Sequence, residues 1–416
     1  MKKSFALVLA LVMALSLTTV AWGVDASTLD YTYVLDSDPQ YIDASQSYIT
    51  VSSAEELQWV MANKNAIDDY IDTTLAPSVI DGGARLSNWT IKLDADLDFS
   101  NATIAPMELG YKYLDGQNHT IKNVTVDGNG GMAGLFKWNG GTISNLTVEN
   151  ITVINGGGYG TGAVAGGGGN YINVTAKNIA VSGEYAVGGI SGYYGYTYTN
   201  CSVIGEANTI TSTTSDCPDG VGGIAGFLNT DGSDTITLTN CKVENTTING
   251  YEEVGGIVGR AVASGTTDSI ALTNCTTSKV AVTVAAEGTT YVGALIGRDY
   301  IGSRVTIDTP AVLAAKIGNT YYTTVADAIT AAGANDAIVL LDANATIPDG
   351  YQVLANGTVV KTPVGGYYPI YIPTVEDTTD KDVTSAQTFD AGIALYMGVS
   401  VMGAVGTVAL SKKRED

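Results

Sequence analysis

A pattern of apolar residues around two small residues recurs along the middle of the chain, between residues 132 and 297. Neighbouring copies begin between 26 residues apart, from Thr161 to Val187, and 38 residues apart, from Val254 to Val292. Recurrence at this spacing predicts a repeat protein in which each unit packs against the one before it. The copies of this glycine phrase are residues 132–137, 161–166, 187–192, 221–226, 254–259 and 292–297.

An asparagine recurs in step with the glycine phrase. Each unit therefore contains a glycine corner, a short strand, an asparagine corner and another short strand, which leaves no room for a helix. This arrangement predicts a mainly β fold, a β-solenoid in which equivalent residues of successive turns lie about 4.8 Å apart. We expect the asparagine side chains to hydrogen-bond along the stack. They are Asn145, Asn173, Asn200, Asn240 and Asn274.

Glycine suits the phrase because it adopts positive φ without strain and lets neighbouring backbones approach closely. If the chain bends at Gly188 and Gly189, Val187 and Ile190 both point inward from different sides of the turn. Stacked copies would then form a continuous apolar core, stabilised by roughly 25 cal/mol for each Å² removed from water.

Cys201, Cys241 and Cys275 each follow one of these asparagines, in the position that Leu146 and Val174 fill in earlier units. We therefore expect small buried apolar side chains. A repeat that spans two turns would hold successive cysteines about 9 to 10 Å apart, beyond the reach of a disulfide. Cys217 lies in an insertion and has no evident partner, so the sequence predicts no disulfide.

These phrases resemble the GLUG motif, a repeat of bacterial cell-surface proteins. The resemblance covers about residues 51–297 and includes residues 91–99 and 114–121, which look like the first turns of that family. It implies a right-handed parallel β-helix. It implies no particular chemistry, because the family shares none.

Both ends of the repeats carry a predicted cap. Ser53 and Glu56 have the spacing of a helix-capping box, so we expect a short helix from Ser53 to about Asn63 that covers the first turn. After residue 309, a unit that resembles the strand-helix-strand modules of bacterial surface proteins is predicted to cover the last turn. The predicted domains are a signal peptide (1–26), an N-terminal extension (27–48), the β-helix (49–310), the capping unit (311–362), a linker (363–390), a transmembrane helix (391–410) and a cytoplasmic tail (411–416).

The two termini predict an exported and tethered protein. Lys2 and Lys3 precede a short apolar run and small residues, which is typical of a secretory signal peptide. Residues 391–410 carry no charge, and a basic cluster follows them. Twenty helical residues span about 30 Å, so we expect one membrane helix with the N-terminal part outside the cell. The tail resembles Gram-positive sorting tails but lacks the Leu-Pro-x-Thr-Gly pentapeptide, which favours a retained single-pass anchor over attachment to the cell wall.

Composition narrows the possible partners. The 416 residues include 50 glycines and 24 tyrosines, and the formal net charge is -22. Such acidity argues against nucleic acid or an anionic membrane surface as the ligand. His119 is the single histidine, which excludes an H-E-x-x-H metalloprotease centre of the kind found in immunoglobulin-cleaving peptidases that carry similar repeats.

Two clusters are candidate sites. Asp94, Asp96 and Asp98 alternate with apolar residues and share one face, where they could bind Ca²⁺, act as the acidic cluster of a polysaccharide enzyme or form a solvated face. Beyond Ca²⁺ the sequence predicts no cofactor. In strand geometry Tyr194, Tyr196 and Tyr198 also share a face. They could form a platform for sugar rings or a protein, or a stack between neighbouring turns that stiffens the coil.

Three functions are compatible with the sequence. The favoured one is a non-enzymatic surface module that binds an extracellular glycan, a host surface or a neighbouring cell. The second is a polysaccharide lyase or glycoside hydrolase, although 20 Lys and Arg in all are few for such a site. The third is a structural spacer. Fold class alone does not separate them.

Overall fold

A computed structural model describes residues 29–32, 47–70, 89–215, 220–230, 235–263, 265, 267–285 and 291–362. The fold in these regions is mainly β, with large sheets of parallel strands. Its α-helices are short: α1 (Ala54–Ala62), α2 (Lys64–Tyr70) and α3 (Val325–Ala331).

The N-terminal part contains the predicted capping helix. The Ser53 side chain accepts a hydrogen bond from the Glu56 amide (3.1 Å), and Glu56 accepts one from the amide of Ser52 (2.7 Å). Leu57 and Val60 of α1 are fully buried in the main core. The strands here are β1 (Asp30–Thr32), β2 (Tyr48–Val51), β3 (Thr90–Leu93), β4 (Leu97–Ile104), β5 (Tyr113–Asp115) and β6 (Thr120–Asp127).

The repeats form the middle of the molecule. Their strands are β7 (Phe136–Trp138), β8 (Thr142–Ile154), β9 (Thr161–Gly162), β10 (Ala165–Gly167), β11 (Asn170–Lys177), β12 (Ala180–Gly183), β13 (Val187–Gly188), β14 (Ser191–Tyr193), β15 (Thr197–Thr199), β16 (Ser202–Ile204), β17 (Asn208–Ser212), β18 (Val221–Gly222), β19 (Ala225–Thr230), β20 (Thr235–Thr239), β21 (Lys242–Gly250), β22 (Glu253–Gly255), β23 (Val258–Ala263), β24 (Ser269–Thr273), β25 (Thr276–Val284), β26 (Tyr291–Gly293) and β27 (Ile296–Asp299).

The glycine phrases pair with one another in register. Strand β13 lies between β9 and β18, with Val187 opposite Thr161 and Val221. The first halves of the phrases form a five-stranded parallel sheet, β26-β22-β18-β13-β9, and the second halves form a six-stranded one, β27-β23-β19-β14-β10-β7. The remaining strands belong to a 22-stranded sheet. The predicted alignment of the phrases is therefore confirmed.

We call the five-stranded and six-stranded sheets the phrase sheets. In each of them, the strand of one repeat pairs directly with the strand of the next repeat, so a repeat contributes one strand and not two. Strand β16 also pairs directly with β21, where Ser202 lies opposite Lys242. The predicted two turns per repeat, and the spacing of 9 to 10 Å between cysteines that followed from it, are therefore wrong. Adjacent units lie one strand spacing apart, about 4.8 Å.

The corners differ from the prediction in one respect. Positive φ occurs at the asparagines, between 50° and 55° for the five predicted ones, whereas Gly188 and Gly189 lie outside that region. Gly188 is needed for close approach instead, because a Cβ there would lie 2.1 Å from the Ser191 carbonyl oxygen and 2.8 Å from the Gly226 amide. Val187 and Ile190 are both fully buried, as expected.

The C-terminal unit has its own small core. It comprises β29 (Ala315–Ile317), β30 (Thr320–Tyr322), helix α3, β31 (Ile338–Leu340), β32 (Tyr351–Val353) and β33 (Thr358–Lys361). The preceding strand, β28 (Val305–Ile307), pairs parallel with β24 and belongs to the repeats. Thr324 caps α3 by accepting a hydrogen bond from the Asp327 amide (3.1 Å). Strand β30 pairs antiparallel with β25, so this unit occupies the edge that the last repeat leaves in the 22-stranded sheet.

Several predictions fall outside the described residues. They are the signal peptide, the linker, the transmembrane helix, the cytoplasmic tail and the environment of Cys217. Helices α1 to α3, which are the α-helices of the described part, are all too short to cross a membrane.

Candidate functional site

The residue that follows each glycine phrase occupies an equivalent position on six neighbouring strands of the six-stranded sheet. Each pairs in register with the next, from β7 at one edge to β27 at the other. Adjacent members are about 4.8 Å apart along the stack. We call this set the aromatic–arginine row: Trp138, Gly167, Tyr193, Phe227, Arg260 and Arg298.

Three of the first four members of the row are aromatic. Gly167 and Gly168 make room for the indole of Trp138, since a Cβ on Gly168 would lie 2.7 Å from the indole Cε2 atom. The rings of Tyr193 and Phe227 stack with centroids 4.9 Å apart. Ring contacts of this kind fix the orientation of the planes.

Tyr194 closes the aromatic cluster. It has a φ of 54°, which turns its ring back so that its edge meets Tyr193 and Phe227, with centroids 4.1 and 5.8 Å away. Its hydroxyl accepts a hydrogen bond from Asn229 Nδ2 (3.2 Å). These contacts leave Phe227 only 7% exposed although it lies outside the main core.

The last two members of the row are arginines that stack on aromatic rings. The Arg298 guanidinium lies 3.7 Å from the ring centroid of Tyr291 and 4.0 Å from that of Tyr300. The Arg260 guanidinium lies 4.7 Å from the Tyr300 centroid and 5.3 Å from that of Phe227. Attraction between each cation and the ring faces holds the guanidinium planes in place.

A buried carboxylate lies beneath both arginines. Glu253 is 3% exposed, and its Oε1 accepts hydrogen bonds from Arg298 Nη1 (2.8 Å) and from the Tyr300 hydroxyl (2.9 Å). Its Oε2 lies 3.5 Å from Arg260 Nε. Burial raises the pKa of Glu253, and the two arginines oppose that shift. Burial and the bond to Glu253 raise the pKa of Tyr300 to about 12.

The arginines remain partly accessible. Their side chains are 23% and 26% exposed for Arg260 and Arg298, and Tyr300 is 44% exposed. One carboxylate thus contacts two guanidinium groups, which lie beside aromatic rings at a partly exposed position.

The structure does not assemble a metal site from the three predicted aspartates. Asp94, Asp96 and Asp98 are exposed, and Leu93, Leu97 and Phe99 are buried, as predicted. However, β3 ends at Leu93 and β4 begins at Leu97, so Asp94 and Asp96 lie in the connection and the three aspartates do not share one strand. The described residues contain no group of three or more potential metal ligands.

Two of these aspartates instead accept hydrogen bonds within the fold. Asp96 accepts from the Thr120 amide (2.9 Å) and lies 3.3 Å from His119 Nδ1. Asp98 accepts from the Ser100 amide (2.8 Å) and from Asn123 Nδ2 (3.0 Å). The amide of Thr120 lowers the pKa of Asp96, and that of Ser100 lowers the pKa of Asp98.

The predicted tyrosine platform is wrong. Strand β14 ends at Tyr193 and β15 begins at Thr197, so Tyr194 and Tyr196 lie in the connection between the strands. Tyr198 is fully buried and stacks on Tyr171 of the neighbouring unit, with centroids 5.1 Å apart. The three rings therefore share no exposed face, and the alternative of a stack between neighbouring units describes Tyr198.

The asparagine ladder is present in full. Asp115 Oδ1 accepts from Asn145 Nδ2 (3.0 Å) at one end, and Asp308 Oδ1 accepts from the Asn274 amide (2.8 Å) at the other. Every bond between the asparagines runs in the same direction, from Nδ2 of one unit to Oδ1 of the previous one. They join Asn173 to Asn145 (2.8 Å), Asn200 to Asn173 (2.8 Å), Asn240 to Asn200 (2.9 Å) and Asn274 to Asn240 (3.2 Å).

The three cysteines form a second, buried ladder. Cys201, Cys241 and Cys275 are at most 1% exposed and are free thiols. Cys241 donates to the Tyr198 carbonyl oxygen (3.5 Å). Hydrogen bonding to Cys201 raises the pKa of Cys241, and hydrogen bonding to Cys241 raises that of Cys275. Their predicted role as small buried apolar residues is confirmed.

Reasoning from the sequence missed the aromatic–arginine row. A signal was available, because Tyr193, Phe227, Arg260 and Arg298 each follow the final glycine of a phrase. Aligning the repeats beyond the phrase places them together. The position of Glu253 beneath the arginines had no such signal, since Gly220 and Ala186 occupy the same place in earlier copies.

No protein-family model and no curated protein matches the sequence. Among solved structures, a crystal structure described as that of a candidate immunoglobulin A1 protease from Bacteroides ovatus is similar to this chain with a TM-score of 0.35 and 18% sequence identity. The likeness covers 64% of this chain and 84% of the other. At this TM-score it carries no argument about function.

Proposed function

We propose that the chain is a parallel β-helical protein of the bacterial cell surface that binds an extracellular glycan. The coil is supported by the in-register pairing of consecutive glycine phrases, of which Val187 with Thr161 and Val221 is one example. It is supported also by the uninterrupted asparagine ladder from Asn145 to Asn274. The surface location is supported by the signal-peptide pattern of residues 1–26 and the uncharged run of residues 391–410.

The observation that carries the binding function is the aromatic–arginine row. Four of its members, Trp138, Tyr193, Arg260 and Arg298, are partly exposed, and the buried Phe227 packs between them. Aromatic rings bind the apolar faces of sugar rings, and arginine side chains donate hydrogen bonds to their oxygen atoms. A row along the stack suits an extended polymer better than a small molecule.

A polysaccharide-binding assay tests this function. We expect the full chain, displayed on cells or immobilised, to retain at least one extracellular polysaccharide, and Trp138→Ala to weaken that retention. Tyr113→Ala is the matched control, because Tyr113 is an exposed aromatic residue on β5 of the 22-stranded sheet.

Two outcomes would overturn the proposal. One is retention of no polysaccharide by the folded chain. The other is an equal loss of retention in Trp138→Ala and Tyr113→Ala, which would place the binding surface elsewhere. Circular dichroism of each variant confirms that the fold is unchanged.

A further inference from the structure

We infer that Tyr111 extends the aromatic–arginine row beyond Trp138, and that the rings of these two residues bind an uncharged polysaccharide of equatorially linked hexoses. We call the pair the ring platform. The inference rests on the proposed glycan-binding function and adds to it a further binding residue and the chemical class of the ligand. It is supported by the exposure of the rings, the glycines beneath them, their order along the stack and the area that they offer.

Tyr111 lies beside the first strand of the six-stranded sheet. Gly110 forms a parallel bridge with Asn139, so the segment that carries Tyr111 runs next to the segment that carries Trp138. Tyr111 is 72% exposed, and Trp138 is partly exposed. An aromatic ring in water retains apolar surface, and a ligand that covers this surface gains binding free energy.

Each ring of the platform lies against a glycine of the next unit. A Cβ on Gly140 would lie 2.6 Å from Tyr111 Cδ1 and 3.0 Å from its Cε1. A Cβ on Gly168 would lie 2.7 Å from Trp138 Cε2, and one on Gly167 would lie 3.2 Å from Trp138 Cζ3. The missing side chains therefore let each ring rest on backbone. One side of the ring is supported, and the other side remains available to a ligand.

Other aromatic residues of the repeats cover one another instead. Tyr193 and Phe227 stack with centroids 4.9 Å apart and an angle of 29° between the ring planes. Tyr159 and Tyr185 stack at 5.5 Å and 21°. In such pairs each ring covers a face of its partner. The rings that rest on glycine are thus the better candidates for stacking with a sugar ring.

The two rings of the platform follow one another along the stack. Tyr111 lies against Gly140, which belongs to the unit of Trp138, and Trp138 in turn lies against Gly168 of the following unit. Both rings therefore lean in the same direction, displaced by one strand spacing of about 4.8 Å. An extended polymer that runs along the stack would contact both.

Flat aromatic rings select a class of sugar. A hexose whose hydroxyl groups and linkages are equatorial carries its polar groups around the rim and C–H groups on both faces, so its faces are apolar and stack on aromatic rings. Equatorial linkages also keep successive units extended, whereas an axial linkage turns them away from a common plane. The formal net charge of -22 repels a polyanion, which favours an uncharged polymer.

The area of the platform fits a glycan better than a protein. An aromatic side chain buries about 150 to 250 Å², so the two rings offer at most about 500 Å². A standard protein interface buries about 800 Å² on each partner. The platform is therefore too small to hold a protein by itself, but it matches two sugar rings.

The test of the ligand class compares three polymers of glucose. Hydroxyethyl cellulose is uncharged and equatorially linked. Carboxymethyl cellulose has the same backbone with added negative charges, and amylose is uncharged but axially linked. We expect the immobilised full chain to retain hydroxyethyl cellulose more strongly than either of the other two polymers.

Variants of Tyr111 test the role of the ring. Tyr111→Leu keeps an apolar side chain but removes the flat ring, and it should weaken retention of hydroxyethyl cellulose about tenfold, which corresponds to about 1.4 kcal/mol. Tyr111→Phe keeps the ring and should restore retention. Tyr113→Ala removes an exposed tyrosine from β5 and should leave retention unchanged. Thermal unfolding verifies that each variant is folded, as expected for changes at exposed positions.

The outcomes are distinguishable from a failure of the glycan-binding function. Equal retention by Tyr111→Leu and Tyr111→Phe would overturn the role of the ring. Retention of amylose or carboxymethyl cellulose at least as strong as that of hydroxyethyl cellulose would overturn the ligand class. In both cases, weaker retention of another polysaccharide by Trp138→Ala would leave glycan binding intact. Retention of no polysaccharide by the folded chain would overturn both proposals.

Discussion

At the scale of single residues, asparagine is selected at the corners for two properties at once. Its side chain tolerates positive φ better than most residues do, and its amide both donates and accepts. Asn200, with a φ of 53°, donates to Asn173 and accepts from Asn240. A residue that supplies only one of the two properties would break the series at that unit.

Replacing Asn200 by Ala removes both properties. We expect the free energy of unfolding to fall by about 3 to 4 kcal/mol, because Ala at positive φ costs about 1 to 2 kcal/mol and two hydrogen bonds of about 1 kcal/mol each are lost. Asn200→Gly restores the backbone freedom and should lose only the hydrogen-bond part. Urea unfolding measures both, and equal losses in the two variants would contradict the role of backbone conformation.

At the scale of elements, each glycine phrase is the corner at which two small sheets meet. Strands β18 and β19 belong to different sheets and are separated by only two residues. A Cβ on Gly222 would lie 2.2 Å from the Ala225 carbonyl oxygen and 2.6 Å from the Gly259 amide of the next copy. The corner thus contacts its own second half and the neighbouring unit through backbone atoms.

Gly222→Ala should therefore be strongly destabilising. Since the blocking atoms belong to backbone, the clash can be relieved only by moving two units apart, and we expect a loss above about 3 kcal/mol. Gly156→Ala is the matched control, because a Cβ there meets no atom within 4 Å and φ is not positive. Similar melting temperatures for the two variants would show that the close approach at the corner is not required.

The sequence predicts those structural features whose residues recur in every unit. The phrase, the asparagine ladder and the buried cysteines were predictable because each unit carries the same residue type at the same place. The connections between strands were not predictable. The residue types of Tyr194 and Tyr196 suit a strand, but Tyr194 has a positive φ that ends the alternation of the strand. The cluster around Glu253 was missed because a glutamate occurs at this position of the repeat in one unit only, so the repeat pattern does not reveal it.

At the scale of the whole molecule, two edges of the 22-stranded sheet end in antiparallel strands. Strand β1 pairs antiparallel with β2 at the start, and β30 pairs antiparallel with β25 at the end. Antiparallel neighbours stop the parallel series, because the next strand cannot continue in the same direction. Unprotected edges of long sheets recruit strands from other molecules.

Removal of the C-terminal unit should expose such an edge. A chain that ends at Pro310 should self-associate, because the β25 backbone groups that face β30 lose their partners. A chain that ends at Thr362 retains β30 and is the matched control. Light scattering at equal concentrations compares them, and identical masses for the two chains would contradict the protective role of β30.

Each repeat contributes one strand to each phrase sheet, and this limits how the gene can change in length. An in-frame duplication of a single unit adds one layer, leaves both terminal caps untouched and preserves the direction of every asparagine bond. Recombination between units would therefore lengthen or shorten the stack of parallel strands in steps of about 4.8 Å, without a new core having to evolve.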